Sequence, residues 1–189
     1  MNQSADQVTS RTFQSAAART NKGAAWPWFA LRVWVRSEKI IAEVLHHKGY
    51  EEFLPVYLCR RRWSDRTKEV VEPLFPGYVF CRFEVQNRLP ILMTPGVLQI
   101  VGIGKAPTPV DESEIAALQM IVSSGLRAEP WPFIKVGERV RIIRGALEGM
   151  EGILNGFKRP SRLIVSVTLL QRSVAVEVDE SWITPATRL

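Results

Sequence analysis

Apolar residues in this chain alternate with other residues in several short runs, and alternation sends successive side chains to opposite faces of a strand. In residues 28–35, Leu31, Val33 and Val35 share one face, and Arg32 and Trp34 the other. A turn signal, Pro76-Gly77, opens a second clear run. There Val79, Cys81 and Phe83 suit a core beneath helices, while Tyr78, Phe80 and Arg82 face the other way. Two large aromatics on that second face need a cover, from this chain or from a partner. Residues 50–58 and 97–101 predict further strands, with Pro55 limiting the first to an edge or an interrupted form.

Between these runs the spacing becomes helical. Ile40, Ile41, Val44 and Leu45 form an apolar stripe, with Ser37 placed to cap the helix and Gly49 to end it. Asn87 opens a short helix reaching Met93, and Pro90 falls in its first turn, where proline is tolerated. Asp111 with Glu114 three residues on reads as a capping box before Ile115, Leu118, Ile121 and Val122. From residue 134 the pattern is all-β: Leu163, Val165, Val167 and Leu169 predict one strand face, and Val174, Val176 and Val178 another.

The predicted organisation is a disordered tail over residues 1–25, an α+β unit over 26–127, a linker over 128–133 and a small all-β unit over 134–189. The tail is rich in Ser, Thr, Ala, Gln and Asn and cannot bury enough apolar surface to fold. The first unit is an antiparallel sheet flanked by helices. Pro130 and Pro132 hold the linker extended.

Charge sharpens the picture in one place. The net +6 of 25 basic and 19 acidic residues spreads evenly over tail, first unit and second unit, except for a concentrated run, Arg60-Arg61-Arg62-Trp63-Ser64-Asp65-Arg66-Thr67-Lys68. This run predicts a hairpin with a charged tip that steers toward phosphates, with Trp63 able to stack on a base. The 2 cysteines, Cys59 and Cys81, form no pair motif, so a disulfide scaffold or zinc site is not expected. His46 and His47 are adjacent and cannot share a helix face as a metal pair. No apolar run approaches the ~20 residues of a membrane helix. A cytoplasmic, monomeric protein without cofactor or metal is expected. No nucleophile–base order or metal motif proposes an active site, and a binding protein rather than an enzyme is expected.

Four stretches, in order, carry a resemblance: Trp28-Phe29-Ala30-Leu31, Glu72-Pro73-Leu74-Phe75-Pro76-Gly77-Tyr78-Val79-Phe80, Thr94-Pro95-Gly96-Val97, and the glycine-spaced loop Gly145, Gly149 and Gly152. Together they resemble the NusG family of transcription elongation and antitermination factors over about residues 26–185. The last stretch resembles a KOW loop on a small SH3-like barrel. The resemblance implies binding to the clamp of the largest subunit of RNA polymerase through an apolar pocket, with Tyr78, Phe80, Phe75 and Arg32 as the contacts. It implies nucleic-acid contacts from Arg60, Arg61, Arg62 and Arg66, and from His47 and Lys48 toward non-template DNA. The second unit would recruit a ribosomal protein or a termination factor. The Arg-Trp-Ser-Asp-Arg hairpin resembles specialised antiterminator paralogues. An open protein, with the second unit away from Tyr78 and Phe80, is expected. A KOW-containing ribosome- or RNA-binding protein is the alternative.

Overall fold

The computed structural model describes residues 26–62, 67–104, 106–131, 137–154 and 162–186. The tail over 1–25, Trp63, Arg66 and the last two linker positions lie outside them.

The first unit is built on a four-stranded antiparallel sheet in the order β2-β5-β1-β6. Its strands are β1 (Trp28–Val33), β2 (Glu51–Phe53), β5 (Tyr78–Arg82) and β6 (Val97–Ile100). A two-stranded ribbon, β3 (Val56–Arg62) with β4 (Thr67–Pro73), leaves the sheet between β2 and β5. Pro55 interrupts the run as expected, splitting it into β2 and β3. The arginines at 60–62 therefore lie on the ribbon's strand, not in a loop. A further small hairpin joins β7 (Gly102–Ile103) to β8 (Ala106–Pro107).

The alternation in β1 and β5 gives the sheet two buried faces. Phe29, Leu31, Val33, Val79 and Cys81 pack with Phe83 beneath α1 (Glu38–His47) and α2 (Leu89–Leu92). Helix α1 contributes Ile41 and Leu45 of its predicted stripe together with Ala42, whereas Ile40 of that stripe is exposed, and α2 contributes Ile91. Each fully buried Leu or Ile stabilises by about 1.5–3 kcal/mol. Ser37 precedes α1, but its side chain makes no capping bond. The opposite face carries Trp28, Ala30 and Phe80 and is covered by α3 (Glu112–Ser123) through Ile115, Leu118 and Ile121. Asp111 caps α3 by accepting the Ser113 N–H at 2.7 Å.

The second unit is a six-stranded antiparallel sheet in the order β14-β10-β11-β12-β13-β9. It comprises β9 (Ala128–Trp131), β10 (Glu138–Ile142), β11 (Glu151–Leu154), β12 (Arg162–Val167), β13 (Arg172–Glu177) and β14 (Ile183–Pro185). Leu163, Val165, Val167, Val174 and Val176 are buried together, as their alternation predicts. Residues 128–131, expected as linker, are instead an edge strand: Val176 stands opposite Ala128, and Ser173 opposite Trp131. An edge strand tolerates Pro130 because its missing N–H falls where no partner strand is required.

The two units share one buried cluster, with Phe80, Ile115 and Leu118 of the first joined to Val165, Val167 and Val174 of the second. The open arrangement expected from the sequence is thus not the one observed. Strand β12 lies against α3. Among the described residues no helix is long and apolar enough to cross a membrane.

Candidate functional site

The site is built where β5 leaves its turn. Gly77 has φ +83°, a conformation most side chains avoid, and its carbonyl accepts the Val33 N–H at 2.9 Å. Its own N–H donates to Glu38 Oε1 at 2.7 Å. The Tyr78 N–H closes the turn on the Phe75 carbonyl at 3.1 Å. Tyr78 is therefore held by backbone geometry at the mouth of the strand.

From Tyr78 an aromatic row runs along one face. Phe80 lies 6.2 Å from Phe53 in a stacked pair and 5.8 Å from Phe75 edge-on. Phe53 in turn meets Trp28 edge-on at 6.5 Å. The Arg82 guanidinium ends the row 4.8 Å from the Trp28 ring, in ion pairs with Glu51 and Glu112. Such edge and offset contacts are favoured over face-to-face stacking.

Exposure separates the four expected contact residues. Phe80 is 0% and Phe75 1% exposed, whereas Tyr78 is half-buried and Arg32 is open to solvent. Tyr78 and Phe80 do share the face opposite Val79, as read from alternation. Phe80 is nonetheless a core residue, packed against Phe53 and Phe75 within the cluster that the two units share. Arg32 stands opposite Tyr78 in the β1–β5 register, so the two meet at one end of the sheet.

The second unit lies over that end. The Arg172 guanidinium is 5.2 Å from the Tyr78 ring centroid, a cation–π geometry. Glu114, placed by sequence in a capping box, turns its carboxylate to the Thr168 N–H at 3.1 Å. Arg172 and Glu114 escaped the sequence reading because their roles depend on contacts made across more than 50 residues of chain. Phe53 could have been found from the Glu51-Glu52-Phe53 alternation, which puts it on the Phe80 face.

The nucleic-acid candidates divide as well. In the ribbon, Arg60 stands opposite Glu69, Arg61 opposite Lys68 and Arg62 opposite Thr67. Arg66 lies outside the described residues. Lys48 instead ties α1 to α2, donating to the Pro90 carbonyl at 3.1 Å and to Thr94 Oγ1 at 2.8 Å. His47 is exposed and 3.9 Å from Glu43.

In the predicted KOW loop, Gly145 has φ +87° and faces the Trp182 ring, where a Cβ would sit 2.9 Å from the nearest ring carbon. Gly149 shares the left-handed conformation, and Gly152 lies against the Ile164 carbonyl. These positions shape the loop before β11.

The titratable groups moved from their ordinary values are mostly structural. Burial pushes the Cys81 thiol up to about 12, with Glu52 and Glu51 adding to it. Burial likewise raises Glu52, against the opposing pull of His46, and raises Tyr50. Among the described residues no three potential metal ligands converge.

Comparison with known proteins gives this geometry its context. A family model described as "Transcription termination factor nusG" matches residues 27–119. The chain is 28% identical to a "Transcription termination/antitermination protein NusG" of Lactococcus lactis, over 80% of this chain and 89% of that one. It is 30% identical to the protein of the same name from Deinococcus radiodurans, over 82% of this chain and 97% of that one. Among solved structures, "Crystal Structure of MjSpt4:Spt5 complex conformation A" aligns with 86% of this chain and 99% of that one, at 18% identity and a TM-score of 0.29. The family match spans the aromatic row from Trp28 to Phe80, and the likeness to the Deinococcus protein extends across both units: the chain belongs to the NusG family.

Proposed function

We propose that this chain is a transcription termination/antitermination factor that binds RNA polymerase through the face around Tyr78. The observation that carries this reading is the half-buried Tyr78 beside exposed Arg32, at the end of an otherwise buried aromatic row. Its ring is met by the Arg172 guanidinium of the second unit, a single surface contact. The curated relatives, named as termination/antitermination proteins, support the functional class.

In the proposed mechanism the second unit moves aside and the clamp of the polymerase takes its place on Tyr78 and Arg32. Phe80 and Phe75 stiffen the floor beneath without touching the partner. The basic ribbon then reaches nucleic acid at the edge of the complex. A bridge of this kind opposes opening of the clamp and so alters pausing. The displaced second unit becomes free for another partner.

Co-purification of core RNA polymerase with the full chain tests the reading. Arg172→Ala removes a contact of the ~0.5–1 kcal/mol expected for an exposed cation–π pair, so binding should strengthen a few-fold. Adding Tyr78→Ala in that background should remove most of the binding. If the double variant binds as well as Arg172→Ala alone, Tyr78 is not the contact.

A further inference from the structure

The path of the chain between the two units carries a consequence for how Tyr78 is uncovered. Helix α3 ends at Ser123 and β9 begins at Ala128, so four residues, 124–127, connect them. A stretch of that length spans at most about 15 Å. If β9 left the sheet, the connection would run from Ser124 to Gly137, before β10, and comprise fourteen residues. The pairing of β9 with β13 therefore decides whether the tether is short or long.

That pairing is short, and side chains reinforce it. Strand β9 has four residues on the edge of the sheet, and Pro130, opposite Val174, takes a position whose N–H would face away from β13. The Glu177 N–H donates to the Arg127 carbonyl at 3.2 Å where the tether enters the strand. Ala128 is buried in the core, and a side chain two strands away also engages β9. The Arg162 guanidinium, on β12, reaches across β13 to Glu129 Oε1 at 3.1 Å and stacks 4.9 Å from the Trp131 ring. It also lies 3.9 Å from Glu177 on the strand between.

We propose that β9 is a latch, pinned by Arg162, that keeps the tether short and so holds the second unit over Tyr78. The functional part of this inference rests on the proposed polymerase-binding reading; the conformational part does not. The effective concentration of a tethered group falls roughly as the −3/2 power of tether length, so releasing the latch lowers it about six-fold. The closed-to-open ratio falls by the same factor, with no change to Arg172, Glu114 or Tyr78.

The test uses the full chain with dyes at Glu43→Cys and Glu148→Cys, both exposed, in a Cys59→Ser background. Two variants release the latch from opposite sides: Arg162→Gln from β12, and Glu129→Gln with Trp131→Ala from β9. The second keeps the test decisive if Arg162→Gln fails to fold. Each should speed hydrogen exchange of the Glu177 amide and shift the dye-distance distribution about six-fold toward the separated state. Unchanged exchange in both variants would overturn the pin. Faster exchange with an unchanged distance distribution would overturn the latch. Core polymerase is then added to the same samples: binding should rise with the open fraction. A shift toward the open state with no gain in polymerase binding leaves the latch standing and counts against Tyr78 as the docking face.

Discussion

Glu38 Oε1 accepts the N–H of Gly77 at 2.7 Å, and the glutamate is 3% exposed. This joins the first turn of α1 to the turn that launches β5. Glu38→Ala would leave the Gly77 N–H buried without its acceptor, at a cost of about 1–3 kcal/mol. Glu38→Gln keeps an oxygen in place and should cost less. Urea unfolding of the two variants checks the order; equal losses would mean that packing, not the hydrogen bond, sets the cost.

Tyr78 and Phe80 should behave very differently when truncated. Phe80→Ala opens a cavity among Phe53, Phe75 and Trp28 and should cost about 3–5 kcal/mol. Tyr78→Ala removes a half-buried ring at the rim and should leave the fold intact. Alternation puts both rings on one face, and burial separates them. Thermal melts decide: a shift for Tyr78→Ala as large as that for Phe80→Ala would mean that Tyr78 is also core.

Asp111 should make the stability of α3 pH-dependent in the acid range. Hydrogen bonds from the Ser113 side chain and backbone hold its carboxyl below the ordinary carboxylate value. A lowered folded-state value means that stability is present above the unfolded value, near 4, and is lost as pH falls through the folded one. Asp111→Ala should cost about 1 kcal/mol at pH 7, the usual worth of an N-cap, and progressively less below about pH 4. A pH-independent difference between wild type and variant would rule out the charged cap.

The basic ribbon should act through charge. Replacing Arg60, Arg61 and Arg62 with Gln should weaken binding to the transcribing complex chiefly at low salt, because exposed charges are screened beyond ~8 Å at physiological ionic strength. The slope of binding against salt should fall as phosphate contacts are lost. A loss equal at every salt concentration would point to shape instead.

Thiol chemistry gives a direct check on β5. With its thiol pushed up to about 12 and its side chain buried, Cys81 should resist alkylation in the folded chain at pH 8. Cys59, partly exposed, should react. Modification of both under native conditions would show that the helix-covered face opens.

The strands of both units were legible because a period of two is written into β-branched and aromatic residues, as at Leu163, Val165 and Val167. The stripe of α1 and the Asp111 cap were legible for the same local reason. Alternation fixes which face a residue takes, but not what covers that face. That is why Phe80 read as available and proved buried. Strand β9 was missed because Pro130 and Pro132 together read as linker, and an edge strand tolerates Pro130. Lys48 read as a free cation on an exposed helix, whereas its bonds run to Pro90 and Thr94, over 40 residues away. Contacts of that range leave no periodic trace.

Strand β5 divides two separate apolar layers, with Val79 and Cys81 in one and Phe80 in the other. A one-residue insertion between Gly77 and Phe80 would exchange the occupants of both sides at once. The aromatic would meet α1, the small side chains would face Phe53 and Phe75, and neither layer could fill its space. This short segment should therefore tolerate changes of residue type far better than any change of length.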